Sequence, residues 1–227
     1  MTRLSPSPAT PSSDPGADTV VMLGLAAEFE FEAFVRLAGD AAASPSIQER
    51  QVIARSAVRA LQRQERLVER ITALGGDPAE AMAPFDGVVQ DFEERTTAGS
   101  WSERLLKAFI GYAVADDFLR LLAEGTDPET RELVAGLLGD EAHTELVVAQ
   151  LSQVLADDVA ASRLALWGRR LVGDALAVIQ GTIVRHPAFG RLLAAAGPGE
   201  SEDRVQRVFA ALTAEHTRRM ERLGLTA

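Results

Sequence analysis

Four residues with acidic or imidazole side chains fall on the apolar stripes of successive predicted helices, where hydrocarbon side chains are expected. They are Glu30, Asp116, Asp140 and His143. A charged group in the core of a helical bundle is costly unless a cation or hydrogen bonds compensate it. The spacing Asp140-x-x-His143 places an oxygen donor and a nitrogen donor on adjacent turns of one helix face, and this mixture suits iron or manganese. The four residues are therefore candidate metal ligands.

The elements that must position these residues are helices. Apolar residues recur with helical periodicity almost throughout, and no alternating pattern predicts a strand. Capping boxes at Ser46 and Ser100, and Asp127 before a proline, mark helix starts. The predicted segments are helix A (18–40), helix B (46–75), helix C (100–125), helix D (127–157), a fifth helix (160–185), a short segment after Pro187 and a last helix (201–223).

The connections predict two helical hairpins, A–B and C–D, joined by a long crossover over residues 78–97 with a short helix from Phe85. One long crossover between two antiparallel pairs is the layout of ferritin-like bundles. We therefore expect an all-α, ferritin-like four-helix bundle over residues 18–225, with the additional C-terminal helices packed outside it. A plain up-down bundle with appended helices is the alternative. The Ser- and Pro-rich residues 1–17 are predicted to be a disordered tail.

Bulk composition narrows the function classes. The chain has 227 residues and no cysteine, which excludes disulfides, thiolate metal sites and cysteine nucleophiles. The first residues lack the apolar core of a signal peptide, and no apolar run is long enough to span a membrane, so a cytoplasmic protein is expected. The formal net charge of −10 argues against nonspecific adsorption to nucleic acids or membranes.

Other polar residues receive structural interpretations. Glu28 and Glu32 are expected to point outward from helix A. Asp174 and His216 share faces with apolar residues, and a structural pair is the favoured reading, either Asp–His or Asp174 with Arg170. A homodimer through an outer helix face is compatible with the sequence. No Walker loop, dinucleotide fingerprint or G-x-S-x-G motif is present.

Five segments of the chain match a known family: EFEAF (30–34), GDPAEAMAPF (76–85), DEAH (140–143), LWGRRLVG (166–173) and EHTRRM (215–220). They resemble the bacterial ferritin-like proteins related to tRNA-(2-methylthio-N6-isopentenyladenosine) hydroxylase. The resemblance covers roughly residues 18–225. It implies a ferritin-like fold and, in the hydroxylase members, a di-iron site that activates dioxygen.

Helix B departs from the pattern of a complete di-iron site. Such sites take a Glu-x-x-His from this helix, and the corresponding segment here runs from Ala60 to Arg63. Alanine cannot bind a metal, and arginine carries a permanent positive charge where an imidazole is needed. A buried Arg63 guanidinium would instead neutralise Glu30 and Asp140 in place of a lost cation.

Two hypotheses follow from the sequence. In the first, the chain is a member of the hydroxylase-like family with an incomplete di-iron site and a role in binding or assembly. In the second, it is an iron- or manganese-dependent hydroxylase or oxidase that uses Glu30, Asp116, Asp140 and His143 and acts on an organic or modified-nucleoside substrate. Iron or manganese would be substoichiometric or absent in the first. For tRNA as a partner, the sequence offers arginines on helix B and two arginine pairs, for which a solvated surface is the default reading.

Overall fold

The computed structural model describes residues 15–138, 141–197 and 199–227, and these residues form helices and no strand. A short 3-10 turn, Ala83–Phe85, lies in the crossover. The helices are α1 (Pro15–Ala43), α2 (Ile47–Ala73), α3 (Pro78–Met82), α4 (Gln90–Arg95), α5 (Trp101–Ala123), α6 (Pro128–Leu137), α7 (Glu141–Val154), α8 (Asp158–Arg185), α9 (Pro187–Ala196) and α10 (Ser201–Arg222).

The predicted helix starts at three positions are confirmed by capping hydrogen bonds. Ser46 accepts from the backbone N–H of Glu49, and Ser100 accepts in the same way from Glu103. Asp127 accepts from the N–H of Thr130 at 3.0 Å, with Pro128 in the first turn. Each side chain satisfies a backbone donor that has no partner within its own helix.

Helix D was predicted as one continuous helix, and this is wrong. It is divided into α6 and α7, because Leu138 adopts an extended conformation with ψ 139°. The Leu138 carbonyl accepts a hydrogen bond of 2.8 Å from Arg120 of α5, so a side chain from another helix satisfies a carbonyl at this break. Helix A is longer than predicted at both ends, and the predicted tail lies mostly outside the described residues, since α1 begins at Pro15.

The packing of the helices follows the predicted hairpin layout. The pair α1–α2 has the most extensive contact, α5 contacts both α6 and α7, and α2 also contacts α7. The crossover segments α3 and the 3-10 turn pack on α1. The long α8 lies against α5, and α9 and α10 contact α5 as well. The C-terminal helices thus cover a central helix whose sequence is apolar almost all round, as expected for α5. None of the described helices combines the length and hydropathy that crossing a membrane requires.

Burial of α1 on a second side overturns one prediction. Glu28 was expected to point outward, yet the residue is only 7% exposed. The crossover covers this part of α1, which the apolar periodicity of α1 alone does not reveal. Burial raises the pKa of Glu28 above its usual value, and the nearby carboxylates of Glu32 and Asp86 raise it further.

Two glycines of α1 offer a test of how tightly the crossover packs. A Cβ atom at Gly24 would lie 2.1 Å from the backbone oxygen of Ala81, whereas a Cβ at Gly39 would meet nothing within 4 Å. We predict that Gly24→Ala lowers the free energy of unfolding by about 1–3 kcal/mol through overpacking.

The matched variant Gly39→Ala should raise the free energy of unfolding by about 0.5–1 kcal/mol, since alanine is the better helix former. Urea unfolding followed by circular dichroism measures both. Equal effects of the two substitutions would show that the crossover does not press against α1 at Gly24.

Candidate functional site

An ion pair joins α1 and α2 near the middle of the bundle. The Nε of Arg63 lies 2.8 Å from the Oε1 of Glu30, and Glu30 is only 4% exposed. The side chain of Arg63 is also largely covered. Glu30 was predicted at the centre of the buried stripe of α1, and this position is confirmed. With both partners withdrawn from water, the contact is a charge-assisted hydrogen bond between two desolvated groups.

Asp116 of α5 shares a cavity with this pair. The cavity has a volume of about 210 Å³, and Glu30, Arg63 and Asp116 all line it. Burial, and then the negative charge of Glu30, raise the pKa of Asp116 to about 7, although the cations Arg120 and Arg63 oppose the shift. Near neutral pH the carboxyl is therefore divided between its protonated and ionised forms. Protonation of Asp116 relieves the repulsion between two acids that share one cavity.

Further arginines line one side of the same cavity. They are Arg120 of α5 and Arg219 and Arg222 of α10. Arg219 is anchored by its Nη2, which lies 2.5 Å from an oxygen of Asp117, and Arg120 contacts the other oxygen of Asp117 at 3.4 Å. The cavity therefore combines buried carboxylates with guanidinium groups on two of its sides.

The predicted ligands Asp140 and His143 are not placed by the structure. Asp140 lies outside the described residues, and His143 lies in the first turn of α7 with a side chain that is not described. The next residue, Thr144, lines the cavity, so the first turn of α7 reaches it. Within the described ranges, no group of three or more His, Cys, Asp or Glu residues could hold a metal ion. The four-residue metal site thus stays a prediction, with Glu30 and Asp116 brought together.

The α2 side of the cavity does not fit a two-metal centre. Such a centre needs a carboxylate and an imidazole from this helix, whereas Ala60 is fully buried there and Arg63 contacts Glu30. A guanidinium has no lone pair to offer a metal and repels a cation at close range. Among the described residues, α2 therefore supplies no metal ligand to this cavity.

The two remaining polar positions behave differently from each other. Asp174 lies 3.8 Å from Arg170 and 3.6 Å from Arg95, which confirms the predicted Asp174–Arg170 pair. His216 is only 2% exposed, and neither ring nitrogen has a hydrogen-bond partner among the described residues. The alternative Asp–His pair is thus not formed by the described part of the chain.

A second, larger cavity was not predicted from the sequence. It has a volume of about 470 Å³ and lies between α1, α4, α5 and α8. The sequence carries one signal for it, a stripe of small residues on α5 at helical spacing. Ala108, Gly111 and Ala115 form this stripe and line the cavity. Small side chains on a central helix leave space that neighbouring helices do not fill.

The helical arrangement and the central polar cluster define an all-α bundle of the ferritin-like class. Comparison with known families assigns it more narrowly, since residues 16–196 match the family described as "Ferritin-like domain, actinomycetes". The chain belongs to this family. No curated protein shows significant similarity to the chain.

Loss of the Arg63 guanidinium should destabilise the protein. We expect Arg63→Ala to lower the free energy of unfolding by about 3–5 kcal/mol, because Glu30 would keep a buried charge without this cation. Arg66→Ala on the same helix is the matched control. Arg66 is exposed and contacts only exposed Glu69 among the ion pairs of the described residues, so a change within about 0.5 kcal/mol is expected.

Both variants can be compared by chemical denaturation at pH 7. Equal stability of Arg63→Ala and the wild-type protein would show that this guanidinium is not needed to balance the core.

Buried His216 should make stability depend on pH. Burial, and then the charge of Arg219, lower the pKa of His216 from its ordinary value of 6.5 to about 4. Between these two pKa values the unfolded chain binds a proton at this residue and the folded chain does not. The free energy of unfolding therefore decreases as the pH falls from about 6.5 towards about 4.

The variant His216→Leu should lose less stability than the wild-type protein between pH 7 and pH 5. Denaturation at the two pH values gives this difference directly, since other groups titrate in both proteins. Parallel losses in the two proteins would contradict the assignment.

Proposed function

We propose that this chain is a binding protein built on a ferritin-like bundle, in which the Arg63 guanidinium takes the charge-balancing role of a metal ion. The 2.8 Å contact between Arg63 and the buried Glu30 carries this proposal. In a carboxylate-bridged bundle, the metal compensates acidic side chains that would otherwise be too costly to bury. Here a covalently attached cation from α2 does so.

The elevated pKa of Asp116 supports the same reading. Arg63 contacts Glu30 directly, and the Asp116 carboxyl in the same cavity takes up a proton near neutral pH. A bound divalent cation would favour the ionised form of such a ligand. The other arginines of the cavity include Arg120 and Arg219, which contact Asp117.

The relation to the tRNA hydroxylase-like proteins forms the finer part of the proposal. We place the chain in that branch as a member that has lost the metal ligands of α2. A role on nucleic acid has little support, because two arginines of α2, Arg66 and Arg70, already contact carboxylates. Arg70 contacts Asp127 at 2.8 Å and Glu129 at 2.7 Å, and Arg66 contacts Glu69. A cytoplasmic location and a homodimer stay predictions from the sequence.

A second candidate function is that of an iron- or manganese-dependent oxidase or hydroxylase. The observation in its favour is that Glu30 and Asp116 line one cavity with the first turn of α7, which carries His143. A single metal ion would take Glu30, Asp116, Asp140 and His143 as ligands and would supply dioxygen activation. Arg63 would then lie beside the metal and hold Glu30 by one oxygen.

Metal analysis separates the two functions. Protein purified from iron- and manganese-supplemented cells should contain far less than one metal ion per chain by inductively coupled plasma mass spectrometry. The paired substitution Ala60→Glu with Arg63→His supplies the missing carboxylate and imidazole on α2, and we expect it to raise the bound manganese.

The control for this experiment is His143→Ala in the wild-type background, which should leave the metal content unchanged. Near-stoichiometric metal in the wild-type protein that disappears in His143→Ala would overturn the proposal and establish the metal-dependent alternative.

A further inference from the structure

The larger cavity has an apolar interior. Its volume of about 470 Å³ lies within the range of sites that bind small organic molecules, about 300–1,000 Å³. The cavity is partly open to solvent, and a ligand that fills it would remove apolar surface from water. The apolar lining includes Phe29, Phe92, Val114, Val178 and Ile179.

The charged residues around the cavity neutralise one another. Arg36 contacts Glu32 at 3.0 Å and Glu93 at 2.8 Å. Lys107 contacts Glu93 at 2.6 Å and also donates to the backbone oxygen of Thr96. These contacts tie α1, α4 and α5 together around the cavity, and each charge in them has a partner.

One further ion pair completes the set. Arg104 of α5 donates to Asp40 of α1 at 3.0 Å. The charged residues that line the cavity are thus three cations and three carboxylates. A ligand with a net charge would therefore find no uncompensated partner among the described residues, and burying its charge would be costly.

The Tyr112 hydroxyl is a polar group of the cavity lining that does not take part in this network of ion pairs. Tyr112 lines both cavities, and its hydroxyl forms no hydrogen bond with the described residues. Burial, and then the charge of Asp40, raise the pKa of Tyr112 above its usual value, and the charge of Arg36 opposes this shift. These two residues line the larger cavity, so the hydroxyl end of the ring lies on that side. Tyr112 is only partly buried, so its hydroxyl is accessible from the cavity, and a polar group of a ligand bound there would supply a hydrogen-bond partner.

We propose that the cavity between α1, α4, α5 and α8 binds an uncharged, largely apolar organic molecule whose single hydroxyl or carbonyl group hydrogen-bonds to Tyr112. This inference rests on the proposed binding function and names its ligand class. The apolar lining takes the body of the ligand, the neutral ion-pair network admits no net charge, and Tyr112 orients the polar group.

A series of octyl compounds provides the probes. 1-Octanol, octanoate and octylammonium share one apolar chain and differ in the charge of the head group. Tyr112 is the only tyrosine of the chain, so ring-labelled tyrosine gives one set of NMR signals that reports on the cavity. Titration with 1-octanol should shift these signals to saturation, and each charged analogue should bind at least about tenfold more weakly.

Two variants of α8 locate the binding site. Val178→Trp places an indole at the cavity lining and should abolish the shift, whereas Val184→Trp lies on the exposed face of the same helix and should leave binding unchanged. Gly111→Val on α5 serves as a second blocking variant if Val178→Trp does not fold. Calorimetry with Tyr112→Phe should show about a two- to tenfold loss of affinity for 1-octanol, with the affinity for octanoate unchanged.

The outcomes separate this inference from the proposed function. The inferred ligand class is overturned if 1-octanol gives no saturable shift of the Tyr112 signals, or if a charged analogue binds as tightly as 1-octanol. It is also overturned if both blocking variants bind 1-octanol like the wild-type protein. Metal content is measured on the same samples. A stoichiometric metal ion would refute the proposed function, whereas absence of octanol binding in metal-free protein would refute only the ligand class.

Discussion

The ion pair between Glu30 and Arg63 is the interaction on which the centre of this bundle depends. It joins α1 to α2, the most extensive helix pair, at a point where both side chains are largely withdrawn from water. Removing charges from water is expensive, so the pair is stable only while both partners are present. Related bundles solve the same electrostatic problem with bound cations. In the proposed function, the Arg63 guanidinium takes this role, and the charge balance would then not depend on a bound metal ion.

The central helix α5 connects this polar core to the larger cavity. Its residues Ala108, Tyr112 and Ala115 line both cavities, and Phe29 of α1 does the same. The two spaces therefore share one wall. Helix α8 borders the larger space through Ala175, Val178 and Ile179. The additional helices thus shape a compartment that the four-helix core alone would leave open.

Sequence patterns predicted those features that depend on interactions between residues close together in the chain. The caps at Ser46, Ser100 and Asp127 are decided within a few residues, and helical phase placed Glu30 on the buried stripe of α1. The break after Leu137 involves Arg120 from another helix, and the burial of Glu28 depends on the crossover. The cavity arises where four segments distant in sequence fail to fill space. Such features depend on tertiary packing, which the periodicity of a single helix does not reveal.

A double-mutant cycle on Glu30 and Arg63 tests the charge-balancing account most directly. Glu30→Gln and Arg63→Gln, alone and combined, are compared with the wild-type protein by equilibrium unfolding at pH 7. The account predicts a coupling of about 2 kcal/mol or more, with the double variant more stable than the sum of the single losses implies. Additivity within about 0.5 kcal/mol would show that the two residues are energetically independent, and the account would then be wrong.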